Sequence, residues 1–332
     1  MNVRYPWSKK MIAAALITTL LLSAGCSSKT EESTTPGRIV VQYGYQPGHA
    51  QTIIAQKKGF YKEELGDDVE IKLVKFQSGP SLITAFTAGK LDFGQVGDQP
   101  AIQAKANNVD LKIIGKFLFS DKVNGLIVRE DSDITSIEEL KGKKVGVTVG
   151  STGQQLLYIY LESAGLKPSD IKQINLQPGD IVSSITFRNI DAAVTWEPYI
   201  TLTTSQGTTR KLADGTGYKS EIDVIIGQNE FLQKYPEIAQ GILKAQAKAG
   251  QWITENPEEA LTLVAEDAGL DQSILEPVFS NVSVDDVNLT DQDIQSIGES
   301  IDFSYNYDLI PEAFLPEDFI DTQYLEQAGL RP

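Results

Sequence analysis

Lys144-Val145-Gly146-Val147-Thr148-Val149-Gly150-Ser151-Thr152-Gly153-Gln154-Gln155 reads as a strand, a tight loop and a helix start. Val145, Val147 and Val149 are β-branched and alternate with small residues, the pattern of a mostly buried strand over 144–149. Gly150 and Gly153 let the backbone turn sharply and approach a ligand. Ser151 and Thr152 are good N-cap types, and Leu156, Leu157, Ile159, Tyr160 and Leu161 continue as an apolar helical stripe. A helix start exposes unpaired N–H groups and a partial positive charge, which suits a small anion. The same residues also suit an ordinary capped βα turn. A nucleotide phosphate loop is a poor fit, because no Gly-Lys-Ser/Thr follows.

The stretch gains weight because it recurs. At one constant offset Val147 falls on Val41, Gly150 on Gly44, Ser151 on Tyr45 and Thr152 on Gln46, and each following helix ends in glycine, Gly165 and Gly59. At a slightly smaller offset Ile181, Val182, Ile185, Ile190 and Asp191 match Leu82, Ile83, Phe86, Leu91 and Asp92. Both second segments run from an amphipathic helix through a short turn into a strand. One strand ends Leu-Asp-Phe-Gly-Gln-Val-Gly-Asp at Asp98, the other Ile-Asp-Ala-Ala-Val-Thr-Trp-Glu at Glu197. Two lobes of one design explain this better than chance, and equivalent loops would then face a shared cleft.

Around these landmarks the chain alternates strand and helix. Strands are expected at 39–44, 69–76, 91–96, 111–119, 124–128, 171–176, 190–195 and 221–226. From Asn229 onward the pattern is helical, with helices expected at 237–254, 257–268, 272–279 and 292–301. The 332 residues suffice for two domains with real cores. A formal charge of -16 argues against a nucleic-acid partner.

The first 25 residues read as a leader: Arg4, Lys9 and Lys10 precede an apolar run from Met11 to Leu22. That run is too short to span a bilayer as a mature helix. Leu22-Ser23-Ala24-Gly25-Cys26 resembles a bacterial lipobox, with Cys26 as the lipidated first residue. It is the only cysteine, so no intramolecular disulfide is available. Residues 26–37 are polar and read as a flexible tether.

At 91–100, at Lys141-Gly142-Lys143-Lys144-Val145 and at Trp196-Glu197-Pro198-Tyr199 the chain resembles the substrate-binding proteins of ABC importers for nitrate, taurine and aliphatic sulfonates. The resemblance implies an α/β, type II periplasmic-binding-protein fold: two α/β lobes with ligand in the cleft, plus extra C-terminal helices. Lobe I would comprise 38–122 plus 222–332 and lobe II 123–221. It also implies capture of a small sulfonate by lobe closure and delivery to a permease and its ATPase. On this reading the protein is a lipid-anchored, extracytoplasmic monomer with no cofactor, no metal and no enzymatic activity. The family shades into binders of nitrate and of pyrimidine precursors of thiamine, and into a pyrimidine-synthesis enzyme, which remain alternatives.

In open α/β sheets ligands sit outside the carboxyl ends of the strands. That rule selects Tyr45 and Gln46, Ser78 and Gly79, Gly97, Asp98 and Gln99, Ser151, Thr152 and Gly153, and Trp196 and Glu197 as ligand-binding. Backbone N–H groups and hydroxyls at 151–153 can serve a sulfonate's oxygens, with Gln46 and Gln99 as further donors. Trp196 offers a flat apolar wall, or else closes the core. Asp98 and Glu197 either cap helix starts or face an ammonium group. His49, the sole histidine, reads as an early-helix residue near the cleft mouth and not as a catalytic base.

Overall fold

The computed structural model describes residues 37–284 and 286–331; the leader, Cys26 and nearly all of the tether lie outside the described residues. The chain begins β1 (Ile39–Tyr45), α1 (Ala50–Lys57), α2 (Phe60–Leu65), β2 (Val69–Lys75), α3 (Gly79–Thr87), β3 (Phe93–Gly97), α4 (Asp98–Ala106) and β4 (Leu111–Ser120). It continues β5 (Asn124–Arg129), β6 (Lys144–Val147), α5 (Thr152–Ser163), β7 (Lys172–Asn175), α6 (Pro178–Thr186), β8 (Ala192–Trp196), α7 (Tyr199–Ser205) and β9 (Thr209–Asp214). It ends β10 (Glu221–Gln228), α8 (Asn229–Lys234), α9 (Pro236–Glu255), α10 (Pro257–Ala268), α11 (Gln272–Asn281), α12 (Asp291–Asn306) and α13 (Gln323–Gln327).

Two five-stranded sheets result, in the orders β2-β1-β3-β10-β4 and β7-β6-β8-β5-β9. In each, four strands share one direction and one strand inserts antiparallel, β10 between β3 and β4 and β5 between β8 and β9. The internal repeat is therefore a repeat of topology. The chain passes between the sheets twice, after β4 and after β9. The passes touch: a Cβ on Gly215 would lie 2.6 Å from the carbonyl oxygen of Asp121, and Thr216 donates to the Asp121 carboxylate at 3.1 Å.

Small residues let helices settle onto the sheets. A Cβ on Gly44 or Gly94 would meet Leu82 of α3 at 2.9 Å or 2.8 Å, so the bare backbone of β1 and β3 admits that side chain. Gly146 on β6 does the same for Ile190, at 2.7 Å. Overpacking such contacts costs about 1–3 kcal/mol. The larger core joins the first sheet to α8–α13; Phe86, Phe93, Phe117 and Phe319 are fully buried there.

One local expectation needs correction. The strand expected at 144–149 stops at Val147, because Ser151 N–H bonds back to Thr148 at 3.3 Å and turns the chain. Val149 is left exposed, its N–H held by Asn175 at 3.0 Å. The polar edge strand β9 and the short helix α2 have too little apolar periodicity to be read from sequence.

Candidate ligand-binding site

A cavity of about 60 Å³ lies where the carboxyl ends of β1, β3 and β8 and the loop after β6 converge. The first lobe contributes Gln46, Gly79 and Gly97, and the second contributes Ser151, Thr152, Trp196 and Glu197. All seven are among the residues selected by the loop rule. Three helices of at least eight residues start at its edge: α1 after His49, α3 after Ser78 and α5 after Ser151. Each helix start carries a partial positive charge without a cation, although Ser78 and Ser151 already take the N–H groups of Ser81 and Gln154 and Pro80 has none. No lysine or arginine lines the cavity among the described residues.

Five selected residues do not line it. Tyr45 points away, donating to Asp267 at 3.1 Å with the Lys75 ammonium 5.6 Å from its ring centre; burial, with Asp267 beside it, raises its hydroxyl well above the ordinary value. Ser78 caps α3 in a reciprocal pair with Ser81. Gln99 turns to the C-terminal helix, donating to the Ser300 carbonyl at 3.2 Å and accepting from the Ser304 hydroxyl at 2.9 Å. Asp98 is fully buried; it accepts from Lys219 at 3.0 Å, from Ser300 at 2.6 Å and from the N–H of Gln99 at 2.8 Å. Gly153 lies inside the first turn of α5, where an added Cβ would sit 3.3 Å from Ser151 Oγ. The reason is common to Asp98 and Gln99: α12, distant in sequence, covers the start of α4.

Ser151 has its hydroxyl committed, donating to the Thr148 carbonyl at 2.6 Å and accepting from Gln154 N–H at 3.3 Å. Its contribution to the cavity is to hold the N-terminus of α5 in place. Glu197 accepts the Thr201 N–H at 3.0 Å and so caps α7 while lining the cavity; burial raises its carboxyl above the usual range. Trp196 is half-buried at the wall and meets Tyr199 edge-on, ring centres 6.4 Å apart. His49 lines the cavity, accepts Gln46 N–H at 3.2 Å on Nδ1 and packs on Phe117 at 4.6 Å. Burial lowers it to about 3, so the imidazole is neutral.

Sequence reasoning missed Asn124, Glu221 and Asp223, which all line the cavity. A signal existed: in Glu221-Ile222-Asp223-Val224 the two acids alternate with apolar residues and share one face of β10. Val278, from α11, also lines the cavity and had no local signal.

Comparison with known proteins agrees with this fold. Residues 46–260 match the family described as NMT1/THI5 like. A protein of Bacillus subtilis (strain 168) assigned to aliphatic sulfonate binding is 30% identical over 317 residues, covering 94% of this chain and 95% of its own. The taurine-binding periplasmic protein of Escherichia coli (strain K12) is 27% identical over 223 residues, 66% of this chain and 68% of its own. The crystal structure of the periplasmic aliphatic sulphonate binding protein SsuA from Escherichia coli superposes with a TM-score of 0.75 at 26% identity, covering 88% of this chain and 99% of that one.

Proposed function

This chain belongs to the NMT1/THI5-like family, and on that premise we propose that it is the extracytoplasmic solute-binding component of an ABC importer for a small sulfonate. The observation that carries the reading is the cavity shared by both lobes, with the starts of α1 and α3 on one side and of α5 on the other. First-turn N–H groups from both sides can hold the sulfonate oxygens, and Trp196 can hold the organic body. A ligand gripped by both lobes binds the closed form better than the open one, and that difference drives closure. The closed protein then presents the ligand to a permease and its ATPase. The lobes would divide at 38–122 plus 222–332 and 123–221, with the two passes as the hinge.

The same reading makes the protein a binder and not an enzyme. The neutral His49 has no thiol partner among the described residues and serves as a structural residue at the start of α1. Nitrate is a weaker fit, since it offers no apolar body to Trp196. Anchoring through Cys26 is part of the proposal, motivated by its lipobox context; Cys26→Ala should release the protein from the membrane or leave an unprocessed precursor.

The test is a melting series with ethanesulfonate, 2-aminoethanesulfonate and nitrate, read together with small-angle scattering. A ligand at about 100 times its Kd adds roughly 2.7 kcal/mol of stability. A sulfonate should raise Tm and reduce the radius of gyration. If no sulfonate does either, the assignment is wrong.

A further inference from the structure

Beside the main cavity lies a second, enclosed recess of about 40 Å³. The two share Gly48, Leu118 and Val278. A Cβ on Gly48, where the backbone is left-handed at φ +89°, would meet nothing within 4 Å, so the passage between them is open on that side. Apolar groups line the recess, Phe117 and Ile253 among them, with one exception. Gln51, in the first turn of α1, is fully buried and is the only polar side chain lining the recess among the described residues. Its orientation is set by its nitrogen, which donates to the Phe117 carbonyl at 2.5 Å and to the Val284 carbonyl at 2.9 Å. The amide oxygen is thereby left as an acceptor without a partner. A buried acceptor without a donor is costly, so this one implies a donor that arrives from outside the chain. A lone water is a poor candidate, because it needs about two to four polar partners and the lining side chains offer it one.

We propose that the recess is a subsite for the far end of the ligand, an alkyl chain finished by a hydroxyl that donates to Gln51 Oε1. The sulfonate at the near end rests on the function proposed above; the subsite stands on the recess and the Gln51 oxygen. The two ends suit one molecule, since Gln51 belongs to the first turn of the same helix whose start edges the main cavity. Trp196 then covers the part of the chain nearer the sulfonate. The donor is neutral: no carboxylate lines the recess among the described residues, and an ammonium group would lose its hydration there without a counter-charge. The ligand class is therefore an ω-hydroxyalkanesulfonate, selected for chain length by the closed recess and for its terminus by one amide oxygen.

Calorimetric titration with two paired series decides the matter: plain alkanesulfonates from ethane to hexane, and the same chains with a terminal hydroxyl. Among the plain chains, affinity should rise by about fourfold for each carbon buried, until the recess is full. At the length that reaches Gln51 the hydroxyl form should bind at least about threefold tighter than its plain partner, whereas on the shortest chain the hydroxyl should confer nothing. Once ligand-free melting shows that each variant folds, Gln51→Met should erase the hydroxyl preference and keep the preference for length. Ile253→Phe, which fills the recess, should bring the longest and shortest plain chains to within about twofold of each other. A hydroxyl that improves binding at no length in the unaltered protein refutes the subsite and spares the sulfonate reading; this arm needs no variant. Survival of the hydroxyl preference in Gln51→Met, or of the length preference in Ile253→Phe, also refutes the subsite. Binding of hexanol without any sulfonate supports the recess and refutes the sulfonate reading. If neither series nor hexanol binds, both fall.

Discussion

Ser300, in the C-terminal helix α12, donates its hydroxyl to the buried carboxylate of Asp98 at 2.6 Å. The same hydroxyl accepts a hydrogen bond from Gln155 of α5, in the other lobe, at 3.3 Å. α12 is thereby fixed to the first lobe and laid against the second. Lys116 and Asp293, paired at 2.8 Å and both buried, hold its first turn on β4. Farther along, Tyr307 packs on Tyr158 at 5.4 Å and donates to Glu162 at 3.0 Å.

The contacts of α12 with α5 favour the arrangement in which the lobes are together. Tyr307→Ala removes the aromatic pair with Tyr158 and an exposed hydrogen bond across the lobes, together worth about 1 kcal/mol, besides its stacking on Phe303 within its own segment. We expect a larger radius of gyration without ligand and a several-fold weaker Kd, with Tm changed by no more than a few degrees. Unchanged scattering and affinity would show that α12 rides on one lobe only.

Gly97 is required by close approach. Its backbone, at φ -60°, suits any residue, yet an added Cβ would lie 2.5 Å from Thr152 Cγ2 across the cleft. Gly97→Ala should therefore hinder closure and weaken ligand binding by more than about tenfold while the first lobe keeps its fold. Calorimetry and melting measure the two effects separately; an unaltered Kd would show that the lobes yield at this point.

Trp196 lines the cavity. Trp196→Ala should weaken binding by about 1–3 kcal/mol, the value of one buried aromatic contact. An unchanged Kd in a folded variant would place the ligand elsewhere along the cleft.

His49 predicts an acid limb in the stability profile. Its pKa is lowered by burial from 6.5 to about 3, so between those values the unfolded chain binds the proton and the folded chain does not. Stability from this group is complete above pH 6.5 and falls as pH drops toward 3, with a slope of at most about 1.4 kcal/mol per pH unit. His49→Gln should flatten denaturant-derived stability over that window. The same acid slope in the variant would assign the limb to carboxylates instead.

Glu221 and Asp223 act in the opposite sense. Their raised values mean that the unfolded chain releases protons first, so stability declines as pH rises above the ordinary carboxylate range. A melting profile from pH 5 to pH 8 of the unaltered protein and of Asp223→Asn checks it; the same decline in the variant would contradict the expectation.

Local pattern determined the parts of this protein that depend on neighbours in sequence. The alternating valines of β1 and β6, the caps at Ser78 and Ser151, and the glycines under Leu82 and Ile190 follow from period, capping and volume. So does the placing of Gln46, Gly79, Gly97, Ser151, Thr152, Trp196 and Glu197 at strand ends, because a repeated βα unit carries its loops to equivalent positions. Tertiary packing decided the rest. Asp98 and Gln99 have the sequence context of cavity residues, yet α12, some two hundred positions later, takes their hydrogen bonds. Glu221 and Asp223 came to line the cavity only when β10 returned to the first sheet and brought Glu221 against Asn124 of β5. Hydrogen bonding and desolvation between residues so far apart leave no periodicity in the chain; the energy that chooses between a surface acid and a buried one exists only after the two lobes have been brought together.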